Sequence, residues 1–456
     1  MKAPILIIGA GLVGSLWAVL LAKRGYQVQV FELRDDPRKA GFACGRSINL
    51  AMSHRGWKAV AKAGIEQQIQ EQAIPMYGRL MHDTKGGLTH QPYGKEGQAI
   101  YSVSRGGLNI ELINIADQHP NVSFHFGQKC LNVDLDSTTA LFESRHNGQQ
   151  RQVKAERIFG TDGAFSSVRR SLMKTPRFNY SQSFLSYGYK ELHIPPKSDG
   201  SHALDKNALH IWPRGQFMMI ALPNPDGSFT GTLFLPYEGG SSAFEQLNSD
   251  EAILRFFQDQ FPDSLQVIPN ILEEFHENPT SSLVTIRCSP WRYQDKALII
   301  GDASHAIVPF YGQGMNAGFE DCTILDEMID TFEGDWGKIF EAFNSSRIKD
   351  ANAIADLALR NFIEMRDKVA DPDFLLRKAI AADLHERHPQ FLPLYSQVTF
   401  SHIPYSEALQ QGLAQDQLFE DILRLPGIHE NWKSNPEVDQ LFKAWLSKQP
   451  SSTAMA

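Results

Sequence analysis

Residues 4–8 of the chain, Pro-Ile-Leu-Ile-Ile, run directly into Gly9-Ala10-Gly11-Leu12-Val13-Gly14. A short apolar run that ends in three glycines at this spacing restricts the fold severely. The glycines let a buried strand turn sharply into a helix and leave space for a ligand at the helix start. The periodicity predicts a strand over 4–8, a helix over 12–24 and a second strand over 27–32, the βαβ unit of a parallel sheet. Glu32 ends that second strand, 21 residues after Gly11, where it can accept a hydrogen bond from a ribose hydroxyl. The free N–H groups and positive dipole end of the helix suit a pyrophosphate. Strand, helix and acid together favour a dinucleotide site over an ordinary tight turn, but they serve NAD and FAD alike.

The same glycines argue against a membrane span. Residues 3–22 carry no charge and lie between Lys2 and Lys23-Arg24, as in a spanning helix or a signal peptide. Gly9, Gly11 and Gly14 would weaken such a helix, no other apolar run approaches bilayer length, and no membrane anchor is expected. The formal net charge of −8, from 44 basic and 52 acidic residues, argues against general affinity for nucleic acid or anionic lipid. Cys44, Cys130, Cys288 and Cys322 lie far apart without a CxxC pair. That fits neither a disulfide framework nor a zinc site, so a reducing cytoplasm and no bound metal are expected. A chain of 456 residues has room for two or three subdomains with a cofactor between them, as a monomer or a homodimer.

Residues 56–73 place Trp57, Val60, Ala61, Ile65 and Ile69 at helical spacing, which predicts one packing helix. Residues 76–93 change to two short segments around Lys85-Gly86-Gly87, a hairpin in which a three-residue loop sets Arg79 opposite Tyr93. A one-residue slip would break that pairing. A helix over 108–116 and a strand over 122–126 resume the first sheet. Between 178 and 283 strands dominate, notably 208–212, 217–222 and 228–235, and predict an antiparallel sheet that covers a substrate. Residues 297–300 form another apolar strand leading into Gly301-Asp302, with a helix from about Gly314. From Trp336 the chain reads as helix, broken at Asp371-Pro372, His388-Pro389 and Ile403-Pro404. The expected organisation is a discontinuous dinucleotide-binding domain over 1–72, 102–175 and 285–345, a β-sheet substrate domain over 73–101 and 176–284, and a helical C-terminal domain over 346–456.

A second glycine motif selects the flavin. Gly301-Asp302-Ala303-Ser304-His305, followed by Pro309-Phe310-Tyr311-Gly312-Gln313-Gly314-Met315-Asn316, puts an acid at a strand end, where it can hold ribityl hydroxyls. It also puts amide donors at a helix start, where they can face the electron-rich end of a reduced flavin. Together the two motifs resemble the class A flavoprotein monooxygenases, the group that includes para-hydroxybenzoate hydroxylase. Gly160-Thr161-Asp162-Gly163-Ala164-Phe165-Ser166-Ser167-Val168-Arg169 resembles the segment through which that group serves both FAD and reduced nicotinamide. Taken alone, this segment is equally adequate as a turn with a helix N-cap. The resemblance implies an α/β fold with a Rossmann-type FAD-binding domain, an antiparallel β-sheet substrate domain and a helical C-terminal cap. It implies FAD as the resident cofactor, with contacts from Gly9, Gly11, Val13, Gly14, Glu32, Arg34, Ala51, Arg105, Asp302, Gly314, Met315 and Asn316. The resemblance also implies NADPH, in preference to NADH, as a transiently bound reductant; the chain has no second Rossmann fingerprint that would hold it in a domain of its own.

A narrower resemblance, over nearly the whole chain, is to the kynurenine 3-monooxygenase family. It rests on Gly45-Arg46-Ser47-Ile48-Asn49-Leu50-Ala51-Met52-Ser53-His54-Arg55-Gly56, on Ser102-Val103-Ser104-Arg105, and on the run from Pro309 to Asn316. Within that last run Tyr311 stands where Phe or His is common, which should alter one wall of the pocket. The family's carboxylate-gripping Arg and Tyr match Arg79 and Tyr93. An Arg fork binds a carboxylate bidentately and a tyrosine adds a donor; from the residues alone, a solvated arginine beside a core tyrosine is the readier alternative. The resemblance also carries over Asn361 and Tyr395 from the cap, and Phe310, Pro309 and Phe234 as apolar walls. Phe310 and Gln313 are the candidates for shaping the reacting face.

The implied reaction is hydroxylation of L-kynurenine to 3-hydroxy-L-kynurenine with NADPH and O2 through a flavin hydroperoxide. The substrate's own amine activates the neighbouring ring carbon, so no protein base is nominated. Orientation, a dry site and donors to the flavin are what the chain must supply. A flavin hydroxylase of another aromatic, such as a quinone precursor or a phenolic acid, would share the flavin motifs; Arg79, Tyr93, Asn361 and Tyr395 argue against it. A reductase or amine oxidase would not be expected to carry Asp162-Gly163. A non-catalytic binding protein on this fold, like the guanine-nucleotide dissociation inhibitors, would not be expected to keep Asp302 between two glycine motifs.

Overall fold

A computed structural model describes residues 3–39, 49–368 and 371–449. Cys44 and the segment Gly45-Arg46-Ser47-Ile48 lie outside the described residues. The strand Ile5–Ile8 pairs in parallel with Val28–Phe31 on one side and with Arg157–Gly160 on the other. The sheet has six strands, in the order Arg292–Tyr293, Ala297–Ile299, Arg157–Gly160, Ile5–Ile8, Val28–Phe31, Val122–His125. Only the edge strand Arg292–Tyr293 is antiparallel to its neighbour. Every residue of Ile5–Ile8 is buried, because a parallel sheet is covered on both faces, and its strands therefore read as unbroken apolar runs. Helix Leu12–Lys23 packs on this sheet, with Trp17 edge-on to Phe159 at 5.3 Å. The single helix expected over 56–73 is two helices: His54–Ala63 ends at Gly64, whose φ is +83°, and Glu66–Gln70 follows. Apolar spacing continues through the break, but a left-handed residue ends the hydrogen-bonded ladder.

A second sheet has seven strands, in the order Ser281–Ser289, Asn179–Ile194, Phe229–Pro236, Met218–Pro223, Ala208–Pro213, Gly78–His82, Leu88–Pro92. It is mixed rather than wholly antiparallel, since Gly78–His82 runs parallel to Ala208–Pro213. That hairpin arrives from a distant part of the chain, and a long connection permits parallel pairing. Side chains alternate between the faces. Trp212, Met219, Leu233 and Leu235 pack toward Phe256, Phe257 and Phe275 of helices Asp250–Gln260 and Ile271–Glu277. Ile211, Met218 and Phe234 face the other way. The two helices interrupt a region expected to be strand. Ser249 starts the first of them by accepting a hydrogen bond from Ala252 N, with Asp250 and Glu251 in its first turn, a helix-start signal in its own right.

The helix Trp336–Ile363, 28 residues long, joins the two layers. Trp336, Ile339, Phe340 and Phe343 belong to the core of the first sheet, while Ile354, Leu357, Ala358 and Phe362 belong to that of the second. Beyond it, Pro372–Arg387, Leu394–Thr399, Tyr405–Leu423 and Pro436–Leu446 form a helical cap, packed around Leu384, Phe391, Phe419 and Phe442. Among the described residues no helix is long and apolar enough to cross a membrane, and no group of three or more His, Cys, Asp and Glu is placed to hold a metal.

Candidate active site

Three turns that are far apart in sequence meet at one end of the six-stranded sheet. Gly9 has φ +109°, and a Cβ there would stand 2.5 Å from the Thr161 carbonyl oxygen. Thr161 Oγ1 in turn donates to Gly9 O at 2.7 Å and to Ile8 O at 3.0 Å. A Cβ on Gly301 would meet Val13 Cγ2 at 2.9 Å, and one on Gly14 would strike Gly9 O at 1.9 Å. Gly11 differs, for a Cβ there would meet nothing within 4 Å. Crowded glycines thus frame one whose backbone faces open space at the start of a helix that has no side-chain cap, the arrangement that suits a pyrophosphate. Glu32 lies alongside and accepts from Ala10 N at 2.8 Å and Arg34 N at 2.9 Å. The Arg34 side chain is 76% exposed, 3.4 Å from Glu32 Oε1. Asp162 accepts from Ser167 N at 2.6 Å through Oδ2, while its Oδ1 is buried without a partner.

Asp302 is open to solvent yet closely surrounded by protein. Desolvation lifts its carboxyl above the usual range, while the charges of His305 and Arg105 pull it back. Helix Gly314–Thr331 begins after Gln313 without a side-chain cap, so its first amides are free to face a ligand. The fully buried Asn316 side chain is already committed: Oδ1 accepts from Ser53 N at 3.0 Å, and Nδ2 donates to Ala51 O and Gly312 O, each at 2.8 Å. It clamps the strand Asn49–Met52 to the helix, and what it offers a cofactor is its backbone. Met315 is buried in the first core. An open glycine, an acid closely surrounded by protein and uncapped amides are the groups that a flavin dinucleotide needs, and the residues present fit it.

The hairpin differs from expectation in register. His82 pairs with Leu88 and Arg79 with Gln91, so residues 83–87 form the loop, and Asp83 Oδ1 closes it by accepting from Lys85 N and Gly87 N, each at 2.7 Å. The displacement from the expected pairing is two residues. An even shift keeps every side chain on its face, and Arg79 still meets Tyr93 diagonally. Its guanidinium carbon lies 5.6 Å from the Tyr93 ring centre and 5.3 Å from that of Tyr395. Tyr93 and Tyr395 stack at 5.2 Å, and Tyr311 stacks on Tyr395 at 5.7 Å. Arg79 is 7% exposed and Tyr93 8%. Arg79 Nε and the Tyr93 hydroxyl are buried without hydrogen-bond partners; the two groups are near enough to perturb each other's ionisation without meeting bonding geometry. Burial pushes the Tyr93 hydroxyl well above its usual range, Tyr395 adds to the effect and Arg79 opposes it. A buried guanidinium with a donor to spare favours an anion.

Beside it stands an aromatic wall. Phe310 stacks on Phe362 at 4.1 Å and lies 5.0 Å from Phe234. Asn361 Nδ2 donates to Phe310 O at 2.6 Å, and Gln313 Oε1 accepts from the Tyr405 hydroxyl at 2.9 Å. Asn361 thus ties the turn Pro309–Tyr311 to the helix Trp336–Ile363, and Gln313 ties the residues after the turn to the cap helix Tyr405–Leu423, while Pro309 is exposed. Sequence alone does not mark Phe362, since an apolar residue on a helix reads as core.

A buried chain of charges underlies the site and carries no motif of its own. Asp321 accepts from Gly301 N at 2.9 Å and from Arg347 Nε at 3.0 Å, and pairs with His305 Nε2 at 2.6 Å. Arg347 also reaches Glu320 at 2.9 Å, and Glu320 accepts from Arg55 Nε at 2.7 Å. Arg55 donates to the carbonyls of Val398, Ser401 and Ile403 in the cap. His305 and Arg55 lie near the ends of two sequence motifs, and Glu320-Asp321 stands on the helix after the second glycine motif, but nothing in the sequence links them to Arg347.

The model of the FAD binding domain family matches residues 2–338. The chain is 50% identical over 445 residues to kynurenine 3-monooxygenase of Flavobacterium johnsoniae, across 97% of this chain and 99% of that relative. It is 45% identical over 425 residues to kynurenine 3-monooxygenase of Sus scrofa, across 92% and 89%. Among solved structures it resembles p-nitrophenol 4-monooxygenase PnpA from Pseudomonas putida DLL-E4, with a TM-score of 0.67, 16% identity, and coverage of 89% of this chain and 98% of that one. It also resembles 2-methyl-3-hydroxypyridine-5-carboxylic acid oxygenase, with a TM-score of 0.66, 16% identity, and coverage of 84% and 98%. At these identities the two structures speak for the fold alone.

Proposed function

We propose, from the premise that this chain belongs to the kynurenine 3-monooxygenase family of FAD-dependent monooxygenases, that it hydroxylates L-kynurenine to 3-hydroxy-L-kynurenine with O2, using NADPH as the reductant. Arg79 carries the substrate assignment: it is a buried guanidinium with an unmet Nε donor, set beside the stacked rings of Tyr93 and Tyr395 and close to an aromatic wall. That combination suits an amino acid with an aromatic side chain. Arg79 and Tyr93 hold the carboxylate, Phe234, Phe310 and Pro309 flank the ring, and Asn361, Tyr395 and Gln313 keep the turn and the cap in place around it.

FAD, when bound, supplies the redox chemistry that joins the reductant to O2. Gly9, Gly11, Val13 and Gly14 would hold its pyrophosphate, and Glu32 with Arg34 its ribose. Asp302 with Arg105 would hold the ribityl chain, and Ala51 with the amides from Gly314, Met315 and Asn316 the ring system. The aniline nitrogen of the substrate makes its neighbouring ring carbon electron-rich, so the residues contribute orientation and exclusion of water rather than a strong base. The division into 1–72, 102–175 and 285–345 for FAD, 73–101 and 176–284 for substrate, and 346–456 for the cap belongs to this proposal. So does a cytoplasmic location, supported by the free, buried thiols Cys130, Cys288 and Cys322.

The deciding experiment is anaerobic bleaching of the flavin by NADPH with and without L-kynurenine, followed by product mass after O2 is admitted. Faster bleaching with kynurenine and a product heavier by one oxygen atom are expected. Bleaching indifferent to kynurenine, together with unmodified kynurenine, refutes the proposal.

A further inference from the structure

Lys378 lies on the cap helix Pro372–Arg387, and its ammonium is 3.4 Å from Gln91 Oε1. Gln91 is the residue directly opposite Arg79 in the hairpin. Lys378 from the cap thus reaches the cross-strand neighbour of Arg79, which brings two cations from different layers to the same end of the hairpin. Glu364 is the acid whose charge reaches both, but its Oε1 is engaged by Arg360 Nε at 3.3 Å. Among the described residues no carboxylate forms an ion pair with either cation. The ammonium also lies 4.9 Å from the centre of the Phe374 ring. Like charges brought near each other, one buried and one half-buried, are unfavourable until an anion joins them.

We propose that Lys378 is a second positioning cation for the substrate carboxylate, brought by the cap to the place that Arg79 serves from the sheet. The inference rests on the reading of this site as one for an amino acid. Burial, and then repulsion by Arg79, hold the Lys378 pKa down to about 7, with Glu364 partly opposing. A carboxylate between the two cations removes the repulsion and favours the charged lysine, so binding takes up a proton near neutrality. Affinity is therefore highest where Lys378 is already charged, below its unliganded pKa, and declines as the pH rises through the higher pKa of the complex.

The test is L-kynurenine binding to the FAD-loaded full chain, followed in the flavin spectrum from about pH 6 to about pH 9, for the wild type, Lys378→Met and Lys378→Arg. Lys378→Met should weaken binding about tenfold at the acid end, the size of one charge-assisted hydrogen bond, and flatten the pH dependence. Its loss in KM should exceed its loss in kcat. Lys378→Arg should restore affinity and hold it to higher pH. The decarboxylated analogue of kynurenine, which lacks the anion, should bind wild type and Lys378→Met alike. Calorimetry of the wild type in two buffers of different ionisation enthalpy reads the proton uptake directly and needs no variant. Equal kynurenine affinity in wild type and Lys378→Met, an equal loss for both ligands, or binding near neutrality without proton uptake overturns the inference. A flavin-loaded wild type that does not bind kynurenine at all defeats the functional reading first, and this one with it.

Discussion

Replacing Arg79 by lysine keeps a positive charge in place but removes the planar fork that matches a carboxylate. Arg79→Lys is expected to bind L-kynurenine at least about tenfold more weakly, the loss of one charge-assisted bond, while FAD content stays normal. Flavin titration checks both, and undiminished affinity would remove Arg79 from the carboxylate site. The pair Arg79 and Tyr93 was legible in the sequence because a register error of two residues leaves a strand's faces unchanged. The loop length was not legible, because Asp83 closes it by accepting backbone N–H groups, and an aspartate before glycines fits loops of several lengths. Asn361 entered through the family resemblance and Gln313 through its glycine motif, and the contacts of neither were legible. Their partners, Phe310 O and the Tyr405 hydroxyl, come from other elements of the chain.

At the scale of elements, the first glycine turn separates two kinds of glycine that look alike in sequence. A Cβ on Gly14 would stand 1.9 Å from Gly9 O, whereas one on Gly11 meets nothing within 4 Å. Gly14→Ala should cost about 1–3 kcal/mol or prevent folding, seen as a lower melting point. Gly11→Ala should melt like the wild type when both are free of flavin, and lose FAD, seen in the flavin-to-protein ratio; equal behaviour of the two variants contradicts this. The substrate sheet holds a second testable device, also invisible in sequence because its members lie on separate segments. His82 Nδ1 meets Asp263 at 2.6 Å, His82 Nε2 meets His210 Nδ1 at 2.8 Å, and His210 Nε2 meets the Asp205 carbonyl at 2.8 Å. Burial holds the His210 pKa down to about 4 against an ordinary 6.5, so the folded state favours its neutral form. That stabilisation is complete above about pH 6.5 and is lost as the pH falls toward 4, by roughly 3 kcal/mol. Urea unfolding over this range should show the loss, and His210→Gln should reduce it. The helices Asp250–Gln260 and Ile271–Glu277 escaped sequence reading because the strands around them set the local pattern, although Ser249 and the acids after it were a usable signal.

For the whole molecule, the decisive contacts are those between layers. Arg347 joins Asp321 beneath the second glycine turn to Glu320, and through Arg55 to the carbonyls of the cap. Arg347→Met takes a charged partner from two buried carboxylates, leaving Glu320 with Arg55 and Asp321 with His305 and Gly301 N, and should destabilise the protein by about 3–5 kcal/mol, with FAD lost more readily on dialysis. Calorimetric melting and retained flavin measure the two effects, and a variant as stable as the wild type would show that the chain of charges does not hold the layers together. Such a chain eludes motif reading because no two of its links need a fixed spacing. The glycine turns differ: each is legible alone, yet together they lay down an order of events. Gly9, Thr161 and Gly301 meet in one cradle, and the helix that completes it starts at Gly314 in a chain of 456 residues. A nascent chain leaving the ribosome has nowhere to lodge the vitamin-derived group until the helix that starts at Gly314 has been translated. Cells starved of riboflavin should therefore accumulate full-length apoprotein rather than stalled fragments.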